Sequence, residues 1–316
     1  DTQVLAESDY IIEMGPEAGA GGGRIIAQGT VPELTANAAS QIGPFLGGRG
    51  SATPQNSPAE ELFAEGRIHL STGAIHTVKP LEVDIPKGRL TVVTGVSGSG
   101  KTTLILESLV PALAAKTSGA ALPAHVKDVQ AVGIGQVKLI DATPIGINVR
   151  STVATYANVH DELRKVFART PDAKRLGYKA GDFSYNTGKL RCPVCDGTGT
   201  ISLDVQFLPD VDIQCPECRG TRYSAAASDI RCATEDGKSY ALPELMAMSV
   251  HDALRVCRGM KLVYSRLKTL DDLGLGYLTL GEATPGLSGG EAQRLKLAGE
   301  MGRAQSGSVF VFDEPT

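Results

Sequence analysis

Apolar residues along this chain change their period several times, and each change predicts an element. Tyr10-Ile11-Ile12 and Arg24-Ile25-Ile26-Ala27 flank a glycine-rich stretch that no helix would survive, so they read as a hairpin, one without a core of its own. VPELTANAAS then suits a short helix, and GPFLGGRGSATPQNSP, from Gly43 to Pro58, suits a linker. From Gly66 apolar residues alternate through GRIHL, GAIHTV and LEVDIPKG, the period of antiparallel strands. RLTVVTGV is instead almost continuously apolar, as a parallel strand buried on both faces would be. Thr102 to Ala115 has helix-forming composition, with Pro111 expected to bend or end the helix.

Beyond Val126, VKLIDA reads as a strand and VHDELRKVFAR as a helix. Helices are also expected in LPELMAMSVHDALRVCRGM, in KLVYSRLKTLDDLG, and after the glycine pair of LSGGEAQRLKLAGEMGRA. SVFVFDEPT closes the pattern as a buried strand. No solenoid-like repeat is present.

Composition adds bounds. The 316 residues are 42% hydrophobic and 21% charged with 37 glycines, which describes a globular chain of one large domain with an insertion, or of two domains. No apolar run approaches the ~20 residues that span a bilayer, and no secretory leader is recognisable, so a cytoplasmic protein without membrane contact is expected. A start at Asp1 and an end at Thr316, just past a strand, read as those of a fragment. The net charge of −4 argues against a nucleic-acid affinity of the whole surface. Yet from Arg150 to Arg191 nine Lys/Arg stand against four Asp/Glu, a local balance of +5. That run could be a solvated helix face or a nucleic-acid patch.

Gly95-Val96-Ser97-Gly98-Ser99-Gly100-Lys101-Thr102 matches the phosphate-loop pattern. Small residues there let consecutive backbone N–H groups wrap a phosphate at a helix N-terminus. Gly95, Ser97, Gly98, Gly100, Lys101, Thr102 and Thr103 are the candidate nucleotide contacts, with Lys101 on the β/γ-phosphates and Thr102 on Mg²⁺. Asp313 at a strand end would share the Mg²⁺, and Glu314 would polarise the attacking water. Alone, such an Asp-Glu pair is an ordinary turn; beside a phosphate loop it is the expected partner. Ser288-Gly289-Gly290 opens another helix and offers a second anion-binding turn.

Cys192, Cys195, Cys215 and Cys218 form C-x2-C-x19-C-x2-C, a spacing suited to zinc held tetrahedrally by four thiolates. A redox pair is the rival reading, but two regular pairs in a cytoplasmic chain favour metal. A chaperone-type zinc unit fits CPVCDGTG but not CPECRGTR. Cys232 and Cys257 read as buried apolar residues. Between Cys192 and Cys218 there is no Lys or Arg, while Asp196, Asp204, Asp210, Asp212 and Glu217 are acidic, so the knuckle itself should repel phosphate. The zinc is therefore expected to act as a scaffold, either presenting the flank Lys179 to Arg191, with Arg219, Arg222 and Tyr223, to DNA, or serving a purely structural role with no DNA contact.

LSGGEAQR followed by FDEP resembles the signature and magnesium-binding motifs of ATP-binding-cassette ATPases. FSYNTGKLRCPVCDGTGTISLDVQFLPDVDIQCPECRGTRY, DLGLGYLTLGEATPGLSGGEAQRLKLA and TVVTGVSGSGKTTLI look like the second nucleotide-binding half of the UvrA family, the damage-recognition subunits of bacterial excinucleases. DYIIEMGPEAGAGGGRIIAQGT resembles the end of that family's first half, so the likeness covers nearly the whole chain. It implies an α/β P-loop ATPase of the cassette type, with an inserted, mostly helical signature domain carrying a zinc knuckle. Residues 1–42 would close the upstream half, 43–63 link, 64–125 and 265–316 form the second ATPase core, and 126–264 the insertion, with zinc residues in 177–232. The implied activity is ATP hydrolysis coupled to damaged-duplex binding in nucleotide excision repair. ATP, Mg²⁺ and Zn²⁺ are the implied cofactors, and a homodimer with the excinuclease B component as partner the implied assembly. Ser288, Gly289 and Gly290 would cap a γ-phosphate held by an opposing phosphate loop, and His76 is where such ATPases often place a ring against adenine.

One departure matters. Ala142 stands where the family has a glutamine, and INVRSTVATY lacks its usual extra basic and proline residues. A UvrA-like paralogue for tolerance of DNA-binding drugs therefore stays open. So do a zinc-bearing interaction scaffold with an idle nucleotide site and a transporter-type or translation-type cassette.

Overall fold

The computed structural model describes residues 2–16, 22–46, 61–146, 148–203, 211–303 and 305–315. Most of the expected linker (47–60), the glycine turn 17–21, and Asp204 and Asp210 of the knuckle lie outside the described residues. The chain forms two compact units, one of Ala52–Asp141 with Ala304–Thr316, the other of Asp1–Ser51 with Ala142–Arg303.

In the first of these, β3 (Arg67–Thr72) lies between antiparallel β4 (Leu81–Pro86) and β5 (Val126–Gln130). β6 (Gln136–Ile140) pairs in parallel with β11 (Ser308–Phe312), in register from Gln136–Ser308 to Ile140–Phe312. Ile68, Leu70, Leu109, Leu113 and Val129 make the core. The helix after the phosphate loop begins as a π-helical stretch, Thr103–Leu109, and continues as α4, Val110–Ser118. Pro111 does not end it, and the helix changes from π to α hydrogen bonding at this point. The Val110 amide bonds back to Ile105 O in the π pattern, and Pro111, which has no N–H to donate, falls where that pattern gives way to α4.

RLTVVTGV does not form the expected buried strand. Leu90 and Val92 are 90% and 77% exposed. Among the described residues no strand lies beside them, and an apolar run is buried on both faces only when the sheet continues around it. β11 is likewise half-buried rather than buried, with Phe312 exposed.

The other unit starts with α1 (Thr2–Ala6) and β1 (Ile11–Gly15), the latter antiparallel to β2 (Arg24–Gly29), followed by α2 (Val31–Ala36) and α3 (Gly43–Leu46). The hairpin's core is made with the helices that fold back on it, where Ile11 and Ala27 are buried with Leu34 of α2. The buried Glu13 carboxylate anchors the return, accepting from Ser40 Oγ (2.6 Å) and the Gln41 and Ile42 amides (2.9 and 3.1 Å).

From Ala142 on come α5 (Val153–Tyr156), α6 (Val159–Phe167), α7 (Pro171–Arg175), the hairpins β7 (Thr200–Leu203) with β8 (Val211–Gln214) and β9 (Arg231–Ala233) with β10 (Ser239–Ala241), then α8 (Leu242–Met246), α9 (Val250–Val256), α10 (Lys261–Asp272) and α11 (Gly289–Met301). Leu163, Phe167, Phe183, Tyr185, Leu267 and Leu295 belong to one buried cluster. The units divide the chain differently from the expected boundaries. β5 and β6 lie with the phosphate-loop strands rather than in the insertion, while 265–303 leave the expected core because the apolar faces of α10 and α11 join the cluster around α6. Among the described residues no helix is long and apolar enough to cross a membrane.

Candidate nucleotide and metal sites

The phosphate loop is built on glycines at positive φ: Gly95 at 156°, Gly98 at 77° and Gly100 at 92°. At Gly100 a Cβ would also lie 2.5 Å from Val78 Cγ2, so the turn admits no side chain there. Lys101 Nζ folds over the loop and donates to Gly95 O (2.8 Å) and Val96 O (2.9 Å). Ser97 is exposed on the loop. Thr103 is buried, and its hydroxyl donates to Glu107 Oε1 (3.1 Å) rather than into the loop. His76 is exposed at φ 48° with Nε2 3.0 Å from Glu107 Oε2, and the neighbouring Thr77 hydroxyl reaches Gly98 O at 3.4 Å.

β11 carries Asp313 and Glu314 to the same place. The Asp313 amide extends the β6 ladder by bonding Ile140 O (3.1 Å), and Glu314 turns the chain at φ 43°. A cavity of about 900 Å³ is lined by Lys101, Thr102, Asp313 and Glu314 together. Its other wall is apolar, including the exposed Leu90, Val92 and Val93. Residues 212 positions apart thus supply a cation, a hydroxyl and two carboxylates to one recess, the groups that MgATP requires.

The second glycine turn lies in the other unit. Ser288 caps α11: its hydroxyl accepts from the Glu291 amide (3.4 Å), and Glu291 Oε2 accepts from the Ser288 amide (2.7 Å). Tyr277 donates to the other carboxylate oxygen, Oε1, at 2.5 Å. Burial alone would raise the Glu291 carboxyl, but the Tyr277 hydroxyl and the Ser288 amide outweigh it and hold it below the usual range. The box Ser288-x-x-Glu291 was a readable capping signal; Tyr277 had none, since only packing brings α10's exit beside α11. Ala142 lies against this turn, its Cβ 3.2 Å from where a Gly289 side chain would begin.

Cys192, Cys195, Cys215 and Cys218 are all buried, with their four sulfurs within 4.8 Å of one another. Tetrahedral zinc with ~2.3 Å bonds needs sulfurs about 3.8 Å apart. Cys192 and Cys215 are 3.9 Å apart and Cys195 and Cys218 3.6 Å, so the quartet fits that ion. Amides aim at the sulfurs from the turns after each pair, Gly199 N reaching Cys195 Sγ at 3.3 Å. Burial opposes ionisation of Cys195, yet the Gly199 amide, the neighbouring thiols and the Gly197 amide bring it down to about 7. Burial pushes Cys218 up to about 12. Cys232 and Cys257 are buried elsewhere, and burial raises both thiols.

The basic flank is only partly a surface. Lys179, Lys189 and Arg219 are exposed, and Arg191 pairs with Asp196 at 3.0 Å. Arg222 and Tyr223, expected at the DNA face, are 7% and 2% exposed and therefore belong to the interior. The Arg222 guanidinium stacks 5.3 Å from the Tyr185 ring centroid and donates to Val149 O (2.9 Å), and Tyr223 bonds His160 and Phe183 O. A polar cleft of about 570 Å³, lined among others by Arg150, Tyr156, Asn158, Asn186 and Arg303, lies nearby; apart from Arg150's place in the basic run, nothing in the sequence pattern marks it.

No family model matches the chain. Over its full length it is 40% identical to UvrABC system protein A of Synechocystis sp., 41% to that of Micrococcus luteus and 40% to that of Bacillus subtilis, covering 32%, 32% and 33% of those proteins. Its structure matches the crystal structure of UvrA2 from Deinococcus radiodurans with a TM-score of 0.85 and 38% identity, covering all of this chain and 37% of that one. The chain is UvrA-type along its whole length and spans about a third of the curated relatives it matches.

Proposed function

We propose that this chain is the part of a UvrA-like ATPase of nucleotide excision repair that binds MgATP through its phosphate loop, carries one structural zinc, and contributes to the grip on damaged duplex DNA. The observation that carries the reading is the cavity lined jointly by Lys101, Thr102, Asp313 and Glu314 in a chain UvrA-like from end to end. An idle scaffold would have no need to keep these four groups convergent.

In this reading Lys101 leaves its loop carbonyls for the β/γ-phosphates, Thr102 and Asp313 hold Mg²⁺, and Glu314 orients the attacking water. The magnesium would supply charge neutralisation at the phosphates. Ser288, Gly289 and Gly290 serve a nucleotide held by an opposing half, so hydrolysis requires the rest of the protein or a second copy. Zinc on the four cysteines cross-links a long excursion, and Lys179, Lys189 and Arg191 face the DNA backbone. The excinuclease B component is the expected partner, and the insertion is the signature domain.

ATP turnover of the intact parent protein, with and without damaged duplex, tests the reading. Turnover stimulated by damaged DNA and lost in Lys101→Ala supports it; turnover indifferent to both DNA and Lys101→Ala overturns it. Elemental analysis should give about one zinc per chain, lost in Cys215→Ser.

A further inference from the structure

The metal knuckle and the Ser288 turn share a tether. Asp196 directly follows Cys195, at φ 50°, and Arg222 lies four residues beyond Cys218, at φ 71°. Both conformations are costly for such residues unless the surrounding turn fixes them. Both residues reach out of the knuckle to the same segment. Arg150 Nη1 donates to Asp196 O (2.7 Å) and Nη2 to Asp196 Oδ2 (3.1 Å), while Arg222 Nη1 donates to Val149 O (2.9 Å). Tyr185, on the knuckle's leading flank, adds a third tie, donating to Arg150 O (3.1 Å) and lying 3.0 Å from Thr152 Oγ1.

The far side of that segment holds the stretch of chain leading into the Ser288 turn. The Val153 and Ala154 amides donate to Glu282 O (3.0 Å) and Leu280 O (2.9 Å). The buried Thr284 closes on it twice, its amide to Ser151 O (2.9 Å) and its hydroxyl to Ile145 O (2.9 Å). Four residues later comes Ser288. Hydrogen bonds alternating with short stretches of chain therefore link Asp196 and Arg222 of the knuckle to Thr284, four residues before the cap of α11.

We propose that Arg150 is a positioning residue through which metal loading of the cysteine knuckle sets the order of the Ser288-Gly289-Gly290 turn. Bound metal closes the turns in which Asp196 and Arg222 sit. It fixes the donors and acceptors that hold residues 149–154, and these in turn seat Thr284. Without metal, the left-handed turns relax, Arg150 loses its two acceptors, and the Ser288 cap frays. The inference rests on reading the quartet as a zinc site and the Ser288 turn as nucleotide-sensing, but its test needs neither ATP nor DNA.

Hydrogen exchange followed by mass spectrometry on the zinc-loaded and chelator-stripped chain reads the effect directly. Stripping should speed exchange about tenfold in peptides covering 145–154 and 280–292 and leave β3 and β4 unchanged. Because stripping could also loosen the whole unit, Arg150→Met is compared with its zinc content verified. It should speed exchange at 280–292 while α6 and α10 stay protected, and Arg150→Lys, which keeps one donor for Asp196, should restore most of the protection. Wild-type exchange at 280–292 in zinc-loaded Arg150→Met overturns the proposal. So does an effect of stripping confined to 177–232, or equal loosening of every helix in Arg150→Met. Loss of DNA-stimulated turnover with this exchange pattern intact would instead count against the functional reading alone.

Discussion

Lowering the pH should destabilise the helical unit through His160. Its ring is buried on α6, with Nε2 2.7 Å from Tyr223 Oη, and that hydroxyl donates to Phe183 O (3.0 Å). The hydroxyl has one proton, so it accepts from His160 Nε2–H, and the ring is the neutral tautomer protonated at Nε2. Burial, with the Arg164 charge adding to it, takes His160 from its ordinary 6.5 down to about 3. An unfolded chain therefore binds a proton below pH 6.5 that the folded chain refuses. Stability is intact above that value and falls as pH drops toward 3. At about pH 5 the linkage costs ~2 kcal/mol, a sizeable share of the ~5–15 kcal/mol of a typical domain. For a unit of this size it should lower the melting temperature by roughly 4–8 °C. Urea denaturation of the zinc-loaded wild type and His160→Gln at about pH 7 and pH 5 isolates the effect. Glutamine can still donate to Tyr223 but does not titrate, and the difference cancels carboxylates and metal ligands common to both. The wild type's advantage at neutral pH should shrink by ~2 kcal/mol on acidification. A gap independent of pH, or a His160 resonance titrating near 6.5, would refute the reasoning.

Gly197→Ala should weaken zinc retention and destabilise the unit by more than ~3 kcal/mol, because φ is 80° and a Cβ would lie 1.7 Å from Tyr185 O, a backbone atom; metal content and melting temperature check this. Lys101→Ala should lower MgATP affinity in calorimetry by about tenfold or more, ~1.4 kcal/mol, with zinc content unchanged since the knuckle is in the other unit. Replacing Lys179, Lys189 and Arg191 by Ala in the intact parent should flatten the salt dependence of DNA binding by about one unit of slope per lost phosphate contact. An unaltered slope would remove that flank from the DNA face.

Much of this protein was legible without its fold. The turn of GVSGSGKT is a local backbone conformation, and its glycines at positive φ are the residues that accept it most readily. Thiolate zinc sites are likewise local pairs closed by one long-range contact, so spacing sufficed to nominate Cys192, Cys195, Cys215 and Cys218. The amphipathic helices α6 and α10 announced themselves by period, because one buried face repeats every turn. Tertiary structure alone decided what depends on partners distant in sequence. RLTVVTGV has the composition of a buried strand, yet burial is a property of neighbours, and it lies exposed. Arg222 and Tyr223 look like surface groups just past the knuckle, but the core draws them in because Tyr185, Val149 O and His160 satisfy their polar atoms there. Arg150 carried no sequence signal beyond its charge. Its role comes from the meeting of a loop, a metal knuckle and a helix cap, which no periodicity encodes and only the folded chain brings within hydrogen-bond reach.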